Sequence, residues 1–394
     1  MAFSLSSGAA YRILRDLIGA HLGARRNRSR PEMDLSPAAR LTDPPASVDS
    51  LDAMELAGAV NEMFELHRTG LEDHLLRYRT LDRWTDVVVR SWAAHPEAIV
   101  FRTSGSTGAP RSIRHPSKTL AREARDLAGI FSDRRRVVVF PPVHHIYGFL
   151  AGVLLPDALG VEVLEGWRMG IGSLAAALRP GDLVAGFPAI WEYLAASLPE
   201  WPTDAAGVSS TGPLRPETAE RLRRAGLAGM VDIYGSTETA GIGWRAAPDD
   251  SFRLFDDWRR AGEGKLVRQW SDGTREEPVC VPDRLDWISD RTFRPAGRRD
   301  GAVQVGGVNV WPERVAAALR IHPGIRDCAV RPFETEAGTR LKALVVPDRS
   351  IDSERLRNDL EIWVREHLSA PERPVRLDFG NRLPRNAMGK ATDW

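Results

Sequence analysis

The chain has 394 residues, of which 43% are hydrophobic and 27% are charged, and its formal net charge is +1. This length suits two or three domains with cores of their own, in a protein of ordinary globular composition. The low net charge gives no global field favouring nucleic acid or an anionic membrane. The two cysteines, Cys280 and Cys328, are too few for a disulfide framework or a cysteine-built metal site. We therefore expect a soluble protein of the reducing cytoplasm.

Residues 1–92 predict a helical N-terminal segment. A first helix is expected over residues 9–22. The apolar stretch 13–22 within it is broken by Arg15 and Asp16, is too short to span a bilayer and lacks the order of a signal peptide. Asp49 and Ser50 then offer an N-cap, and a third helical stretch covers residues 71–89. The second helix should bury an apolar stripe made of Leu51, Met54, Ala57 (with Leu56), Val60 (with Asn61) and Phe64.

Residues 93–299 predict a layered α/β domain with mostly parallel sheets, because short β-branched runs alternate there with helical stretches. The predicted strands are 99–101, 137–140, 161–164, 183–185 and 231–234.

Residues 300–394 predict a small α+β domain. Strands are expected at 303–305, 326–332 and 341–346, and Pro312 should open a helix. A last helix from Asp352 carries apolar residues at a spacing of four: Leu356, Leu360, Val364 and Leu368.

The sharpest motif follows the strand at 99–101. It reads Thr103, Ser104, Gly105, Ser106, Thr107, Gly108, Ala109, Pro110 and Arg111. The backbone N–H groups of such a loop can face an anion, while its hydroxyls and Arg111 add donors for phosphate. The loop lacks the ending of a Walker-type motif. A flexible Gly/Ser turn is the alternative interpretation.

Two further segments carry polar side chains with a chemical meaning. The run Asp232 to Glu238 ends a predicted strand, where ligands of parallel sheets bind. Tyr234 could stack on a base and Glu238 could hold Mg²⁺ against phosphates. The alternative is a strand-to-loop turn with an exposed glutamate. Near the C-terminus, Lys390 is one of only four lysines among 54 basic residues, so its retention as lysine is informative.

In this order the motifs resemble the adenylate-forming superfamily of acyl- and aryl-CoA synthetases, adenylation domains and luciferases, over roughly residues 98–394. The resemblance implies ATP and Mg²⁺ as cofactors, with Glu238 and Thr107 at the metal and Lys390 as the adenylation lysine. It implies a hinge at Asp300. The implied nucleotide and phosphate ligands are Thr103, Ser104, Gly105, Ser106, Thr107, Gly108, Arg111, Asp232, Tyr234, Gly235, Ser236, Thr237, Asp290 and Arg298.

Two segments resemble the superfamily more loosely. The run from Pro142 to Gly148 would place His145 near the carboxylate and the thiol channel, although a buried structural histidine is the alternative. The loop containing Thr211 and Gly212 would line adenine and the acid. Three positions depart from the superfamily pattern: Arg111 replaces a lysine, Gly301 an acidic residue and Gln304 another lysine.

The stretch of residues 237–245 resembles compact ligases of aryl-polyene and xanthomonadin pigment pathways. That resemblance implies a hydroxybenzoate-like aryl acid and transfer to the phosphopantetheine of an acyl carrier protein. Free coenzyme A is the alternative acceptor, and a nucleotide-binding protein without catalysis is the alternative of another class.

The segment Val48 to Leu56 resembles the D-S-L attachment motif of acyl carrier domains. It would make Ser50 a pantetheine attachment site, although Ser47 replaces the usual glycine. A simple helix N-cap also accounts for the motif.

Overall fold

The structure is a computed structural model that describes residues 3–25, 35–103, 111–270, 272–335, 338–348 and 353–384. Four helices open the chain: α1 (Ser7–Arg25), α2 (Ser50–Phe64), α3 (Asp73–Arg77) and α4 (Leu81–Ala94). Asp49 caps α2, because its carboxylate accepts the N–H of Asp52 at 2.7 Å. The side chain of Asp52 accepts the N–H of Asp49 in return, which satisfies a second free donor of the helix end.

The predicted apolar stripe of α2 is partly wrong. Leu51 and Met54 are 52% and 62% exposed. The buried apolar residues of this helix are Leu56, Ala57, Val60, Met63 and Phe64. The stripe therefore begins one turn later than predicted, because the first turn of α2 projects beyond the core.

The middle of the chain alternates strands and helices, as predicted. Its first strands are β1 (Ala98–Thr103), β2 (Arg111–Pro116), β3 (Arg136–Val139), β4 (Glu162–Glu165), β5 (Asp182–Gly186), β6 (Ala206–Ser209) and β7 (Gly229–Ser236). Further strands are β8 (Ala240–Ala246), β9 (Phe252–Leu254), β10 (Trp258–Arg260), β11 (Lys265–Arg268), β12 (Val279–Cys280), β13 (Asp283–Trp287) and β14 (Thr292–Arg298). The helices are α5 (Ser117–Ile130), α6 (Ile146–Phe149), α7 (Leu155–Leu159), α8 (Ile171–Ala177), α9 (Pro188–Ser197) and α10 (Pro216–Arg224).

Nine of these strands form one sheet in the order β13-β14-β9-β8-β7-β6-β5-β3-β4. Strands β4, β3, β5, β6 and β7 pair in parallel, whereas the pairings from β7 to β13 are antiparallel. The strand before the predicted phosphate loop is not part of this sheet. It pairs with β2 in a separate antiparallel hairpin in which Thr103 faces Arg111.

The N-terminal helices share one apolar core with the large sheet. Ile13 of α1, Trp84 of α4 and Val137 of β3 belong to the same buried cluster and are at most 1% exposed. Polar contacts reinforce this packing, since the buried carboxylate of Asp16 accepts the N–H of Val143 at 3.0 Å. The helices are therefore an integral part of the large unit, and none among the described residues is long and apolar enough to cross a membrane.

The C-terminal part has a second apolar core. It contains β15 (Val303–Val305), β16 (Val308–Val310), α11 (Pro312–Leu319), β17 (Ile325–Thr335), β18 (Gly338–Pro347), α12 (Ser353–His367) and β19 (Arg376–Phe379). As predicted, Pro312 opens a helix, and the predicted stripe of α12 faces this core with Leu356 and Leu360 fully buried. Strand β18 pairs antiparallel with β17 and parallel with β19.

We expect Ile13→Ala to lower the free energy of unfolding by about 2–5 kcal/mol, because it leaves a cavity in the shared core. Leu51→Ala serves as the matched control and should cost less than about 0.5 kcal/mol, since that side chain is largely exposed. Denaturant unfolding measures both. Equal effects of the two substitutions would contradict the shared core.

Candidate active site

The carboxyl ends of four parallel strands lie side by side at one end of the large sheet. Ligands of parallel sheets usually bind at these carboxyl ends. The turn with His145 follows β3, and Gly186 ends β5. The loop around Thr211 follows β6, and β7 leads into Glu238. Predicted site residues that are up to 93 positions apart in sequence therefore meet at this end.

Tyr147 ties two of these strand ends together. Its hydroxyl donates toward the carbonyl oxygens of Gly186 and Val208 at 2.9 and 3.0 Å. Burial raises the pKa of this phenol well above its ordinary value, so it remains a neutral donor. The helix start beside His145 is therefore fixed to β5 and β6.

The loop after β6 contacts the C-terminal unit. Thr211 has a positive φ of 76°, and the side-chain amide of Gln304 donates to its carbonyl oxygen at 2.6 Å. A Cβ on Gly307 would lie 3.5 Å from the Thr211 hydroxyl oxygen. The hairpin of β15 and β16 thus lies against the loop that the sequence predicts to line adenine and the acid.

Tyr234 meets a carboxylate and an arginine at the end of β7. Its hydroxyl donates to the carboxylate of Asp283, and Arg298 lies 3.7 Å from the same carboxylate. Burial, with Asp283 nearby, raises the pKa of Tyr234 above its ordinary value. Arg298 also donates to Asp300 at 2.8 Å, and this bond lowers the pKa of Asp300. Tyr234, Asp283, Arg298 and Asp300 therefore form one polar cluster.

The structure does not bring Asp290 to this cluster. Asp290 lies in the turn between β13 and β14, its side chain is fully exposed, and it is 3.8 Å from Arg260. Asp283 and Arg298 are instead paired at the opposite end of the same hairpin. The hairpin therefore separates Asp290 from Arg298 in this structure, and the role of Asp290 as a nucleotide ligand stays a prediction.

Asp232 is buried beneath the carboxyl ends of the strands and is not exposed at the site. Its carboxylate is 2% exposed and accepts two bonds from Arg245 on the neighbouring strand, at 2.8 and 3.1 Å. Burial raises its pKa to about 6, against the opposing effect of Arg245. Asp232 therefore supports the loop after β6 and the end of β7 from within.

Glu238 offers a carboxylate suited to a hard cation. Its side chain is half-buried in the turn between β7 and β8, and it makes no hydrogen bond to any described residue. Magnesium is usually held by one or two carboxylates together with substrate phosphates. No cluster of three potential metal ligands exists among the described residues.

His144 and His145 border a cavity of about 160 Å³ between the N-terminal helices and β1. Their rings lie 4.1 Å apart, and the side chain of His145 is exposed. The lining residues are Leu17, His21, Ala59, Glu62, Met63, Val100, Arg102, His144 and His145. The N-terminal helices therefore build one wall beside the histidine turn.

Several predicted site residues lie outside the described residues. These are Ser104, Gly105, Ser106, Thr107, Gly108 and Lys390. Thr103 and Arg111 flank the loop and face each other across the hairpin, with Arg111 exposed. The hairpin fixes where the phosphate loop leaves and re-enters the fold.

Ser50 is exposed at the first position of α2, and Asp49 rather than Ser50 provides the cap. Capping of α2 is a structural reason for an aspartate at position 49 of the D-S-L motif. Attachment of pantetheine to Ser50 stays a prediction.

Comparison with known proteins identifies the family. The model of the family described as AMP-binding enzyme matches residues 28–268. The model of the family described as AMP-binding enzyme C-terminal domain matches residues 314–390. A 4-coumarate–CoA ligase of Halorhodospira halophila is 41% identical over 98% of this chain and 99% of its own length. A 4-coumarate–CoA ligase of Rhodobacter capsulatus is 36% identical over 97% of this chain and 99% of its own length.

Solved structures share the fold. An o-succinylbenzoate CoA synthetase of Bacillus subtilis matches with a TM-score of 0.59 at 18% identity, over 74% of this chain and 67% of its own. A malonyl-CoA ligase complex matches with a TM-score of 0.57 at 22% identity, over 73% and 71%. The chain belongs to the AMP-binding enzyme family. It is an AMP-forming acid–thiol ligase, which uses ATP to activate a carboxylic acid as an acyl-adenylate.

We expect Asp283→Ala to raise the KM for ATP by about 10- to 100-fold, the usual effect of losing a charge-assisted hydrogen bond. Asp290→Ala should leave this KM within about twofold, because exposed positions away from a site contribute little. Steady-state ATP titrations measure both values. A larger effect at Asp290 than at Asp283 would refute the assignment.

Proposed function

We propose that the chain converts a hydroxycinnamate-like aryl acid, ATP and coenzyme A into the aryl-CoA thioester, AMP and pyrophosphate. The observation that carries this proposal is the similarity to 4-coumarate–CoA ligases over nearly the full length of both chains. A third ligase of that description, from Cereibacter sphaeroides, is 37% identical over 88% of this chain. Similarity over the whole chain includes the N-terminal helices, which line the cavity beside His144 and His145.

The first step forms a bond between a carboxylate oxygen of the acid and the α-phosphorus of ATP. The bond from that phosphorus to the bridging oxygen breaks, and pyrophosphate leaves. In the second step the sulfur of coenzyme A attacks the acyl carbon, AMP leaves, and the thiol proton passes to a base. Negative charge develops on the pyrophosphate leaving group in the first step only, so cationic donors to the pyrophosphate oxygens act chiefly on adenylation.

Within this proposal, the cluster around Tyr234 holds the nucleoside. Asp283 accepts bonds from the ribose hydroxyls in place of the predicted Asp290, while Arg298 contacts the nucleotide and orients Asp283. Support comes from their mutual contacts and from the end of β7 beside them. Glu238 and Thr107 would hold Mg²⁺, which offsets phosphate charge when it is bound.

The proposed second step depends on a change between the two units at Asp300. The ammonium of Lys390 acts in adenylation and then moves away, so that the thiol can approach near His145. The contact from Gln304 to Thr211 supports a state in which the hairpin of β15 and β16 faces the site. Arg298 restrains the hinge in this state through its bond to Asp300.

Transfer to an acyl carrier protein is the second candidate, with a hydroxybenzoate-like acid as its substrate. The relatives favour coenzyme A as the acceptor and a hydroxycinnamate as the acid. A benzoate–CoA ligase of Thauera aromatica is 26% identical over 88% of this chain. For this reason a smaller aryl acid is included among the substrates tested below.

The substrate proposal predicts ATP–pyrophosphate exchange with 4-hydroxycinnamate that exceeds exchange with 4-hydroxybenzoate by about tenfold or more, since a pocket built for the longer acid loses contacts with the shorter one. Coenzyme A should then release the adenylate as a thioester detectable by mass spectrometry. The same reaction is run with a holo acyl carrier protein in place of coenzyme A. Preference for 4-hydroxybenzoate or for the carrier protein would overturn the corresponding part of the proposal.

We expect Lys390→Ala to reduce adenylation by about 10²- to 10³-fold, as for loss of a group that stabilises developing charge. Thioester formation from added acyl-adenylate should change by less than about threefold, because that step has no pyrophosphate leaving group. Lys118→Ala removes an exposed lysine of α5 and serves as the control. Equal losses in both half-reactions would contradict the role of Lys390.

A further inference from the structure

The turn that carries Glu238 is held by side chains from outside its own hairpin. It connects β7 to β8, with Gly235 opposite Gly241 and Ser236 opposite Ala240. Such a turn would normally move easily, because few buried apolar contacts restrain a loop tip. Its residues after Glu238 are nevertheless buried, with Thr239 3% exposed and Ala240 2% exposed.

Three main-chain groups of this turn bond to three buried polar side chains. The Nε2 of His115, on β2, donates to the carbonyl oxygen of Thr237 at 2.7 Å. Arg268, on β11, donates to the carbonyl oxygen of Thr239 at 3.2 Å. Glu123, on α5, accepts the N–H of Gly241 at 2.7 Å. The carbonyls on both sides of Glu238 are therefore fixed from different elements.

The glycine at position 241 follows from this arrangement. A Cβ there would lie 2.6 Å from the Oε1 of Glu123, which no side chain could accept. Ala240 beside it has a positive φ of 58°, a backbone conformation that is costly for alanine. The contacts of the neighbouring residues hold the backbone in that conformation.

Arg268 and its partners form a buried charged cluster behind the turn. Arg268 donates to Glu123 at 2.8 Å and to Asp257 at 3.2 Å, and it is 2% exposed. Burial raises the pKa of Glu123 to about 6, while Arg268 opposes that rise. Buried charges persist only when they are paired and hydrogen-bonded, so each member of the cluster holds the others in place.

We propose that His115, Glu123 and Arg268 are positioning residues that fix the turn from Thr237 to Gly241 and so direct the Glu238 carboxylate at metal-bound phosphates. This inference rests on the proposed role of Glu238. The three residues act through the backbone of the turn and do not touch the substrate. Their loss should therefore weaken the use of Mg²⁺ in adenylation and spare the thiol step.

The test measures ATP–pyrophosphate exchange against Mg²⁺ concentration, with whichever aryl acid supports exchange. His115→Phe keeps an aromatic ring beside Phe101 but removes the donor to Thr237. It should raise the half-saturating Mg²⁺ concentration by about 5- to 10-fold, the effect of one lost hydrogen bond. His115→Gln can restore an N–H donor at the Nε2 position and should stay within about twofold.

Arg268→Lys is the second variant, because one ammonium cannot reproduce the fork that joins Glu123, Asp257 and Thr239. It should raise the Mg²⁺ requirement by about tenfold or more. Thioester formation from added acyl-adenylate should change by less than about threefold in every variant, since that step does not involve pyrophosphate.

Asp182→Asn provides the matched control. Asp182 is 1% exposed and pairs with Arg136 through two bonds of 2.7 and 3.0 Å, at the amino ends of β3 and β5. This variant also breaks a buried ion pair. The pair lies at the amino ends of the strands, whereas Glu238 lies beyond their carboxyl ends. Its Mg²⁺ requirement should equal that of the unmodified protein.

A shift in Mg²⁺ requirement confined to adenylation, with recovery in His115→Gln, supports the inference. Equal losses in both half-reactions, or a similar shift in Asp182→Asn, would overturn it. Glu238→Gln separates this inference from the proposed function. If Glu238→Gln leaves the Mg²⁺ requirement unchanged, the metal site itself is wrong. If it raises the requirement and the His115 and Arg268 variants do not, only the positioning role is wrong.

Discussion

The hydrogen bond from Tyr234 to Asp283 joins two strands that are not neighbours, and the proposed nucleotide-binding cluster depends on it. Strands β8, β9 and β14 lie between β7 and β13 in the sheet, so the sheet must curl for the two side chains to meet. Aromatic rings fill the inside of the curl, with Tyr234 packed 5.3 Å from Phe252 and 5.5 Å from Phe293. Apolar burial thus stabilises the curvature, and the curvature places a carboxylate beside the strand end where a ribose can bind.

The N-terminal helices have a comparable structural role on the other side of the site. Because α1 buries Ile13 in the shared core and Asp16 bonds to the backbone of Val143, the turn that carries His145 is supported by the first residues of the chain. Arg15 adds a second contact between α1 and the sheet through its ion pair with Glu165, the last residue of β4. A compact chain can therefore rigidify the histidine turn with helices, since what the turn requires is buried apolar area and a partner for its free N–H groups.

The sequence predicted local elements well and long-range pairings less well. The strands leading to Tyr234 and His145 follow from β-branched runs, and the helix at Pro312 follows from the rigid φ of proline. By contrast, the apolar stripe of α2 was placed one turn early, because apolar residues at helical spacing do not show which turn meets the core. The position of Asp283 could not be predicted for a similar reason. Asp283 and Asp290 belong to one hairpin, and only the strand register shows that Asp283 pairs with Arg298.

The buried charged cluster behind the turn was also beyond sequence reasoning, since Glu123 of α5, Asp257 before β10 and Arg268 of β11 carry no recognisable spacing. The arrangement of these charges nevertheless has a simple electrostatic reason. In the proposed role Glu238 holds a cation, and a fixed arginine bonded to its carboxylate would compete with that cation, so a rigid backbone is the better restraint. The buried arginine satisfies Glu123 and Asp257 behind the turn and reaches Glu238 only through the carbonyl of Thr239. The fold thereby separates the charge that stabilises the turn from the charge that acts on the nucleotide.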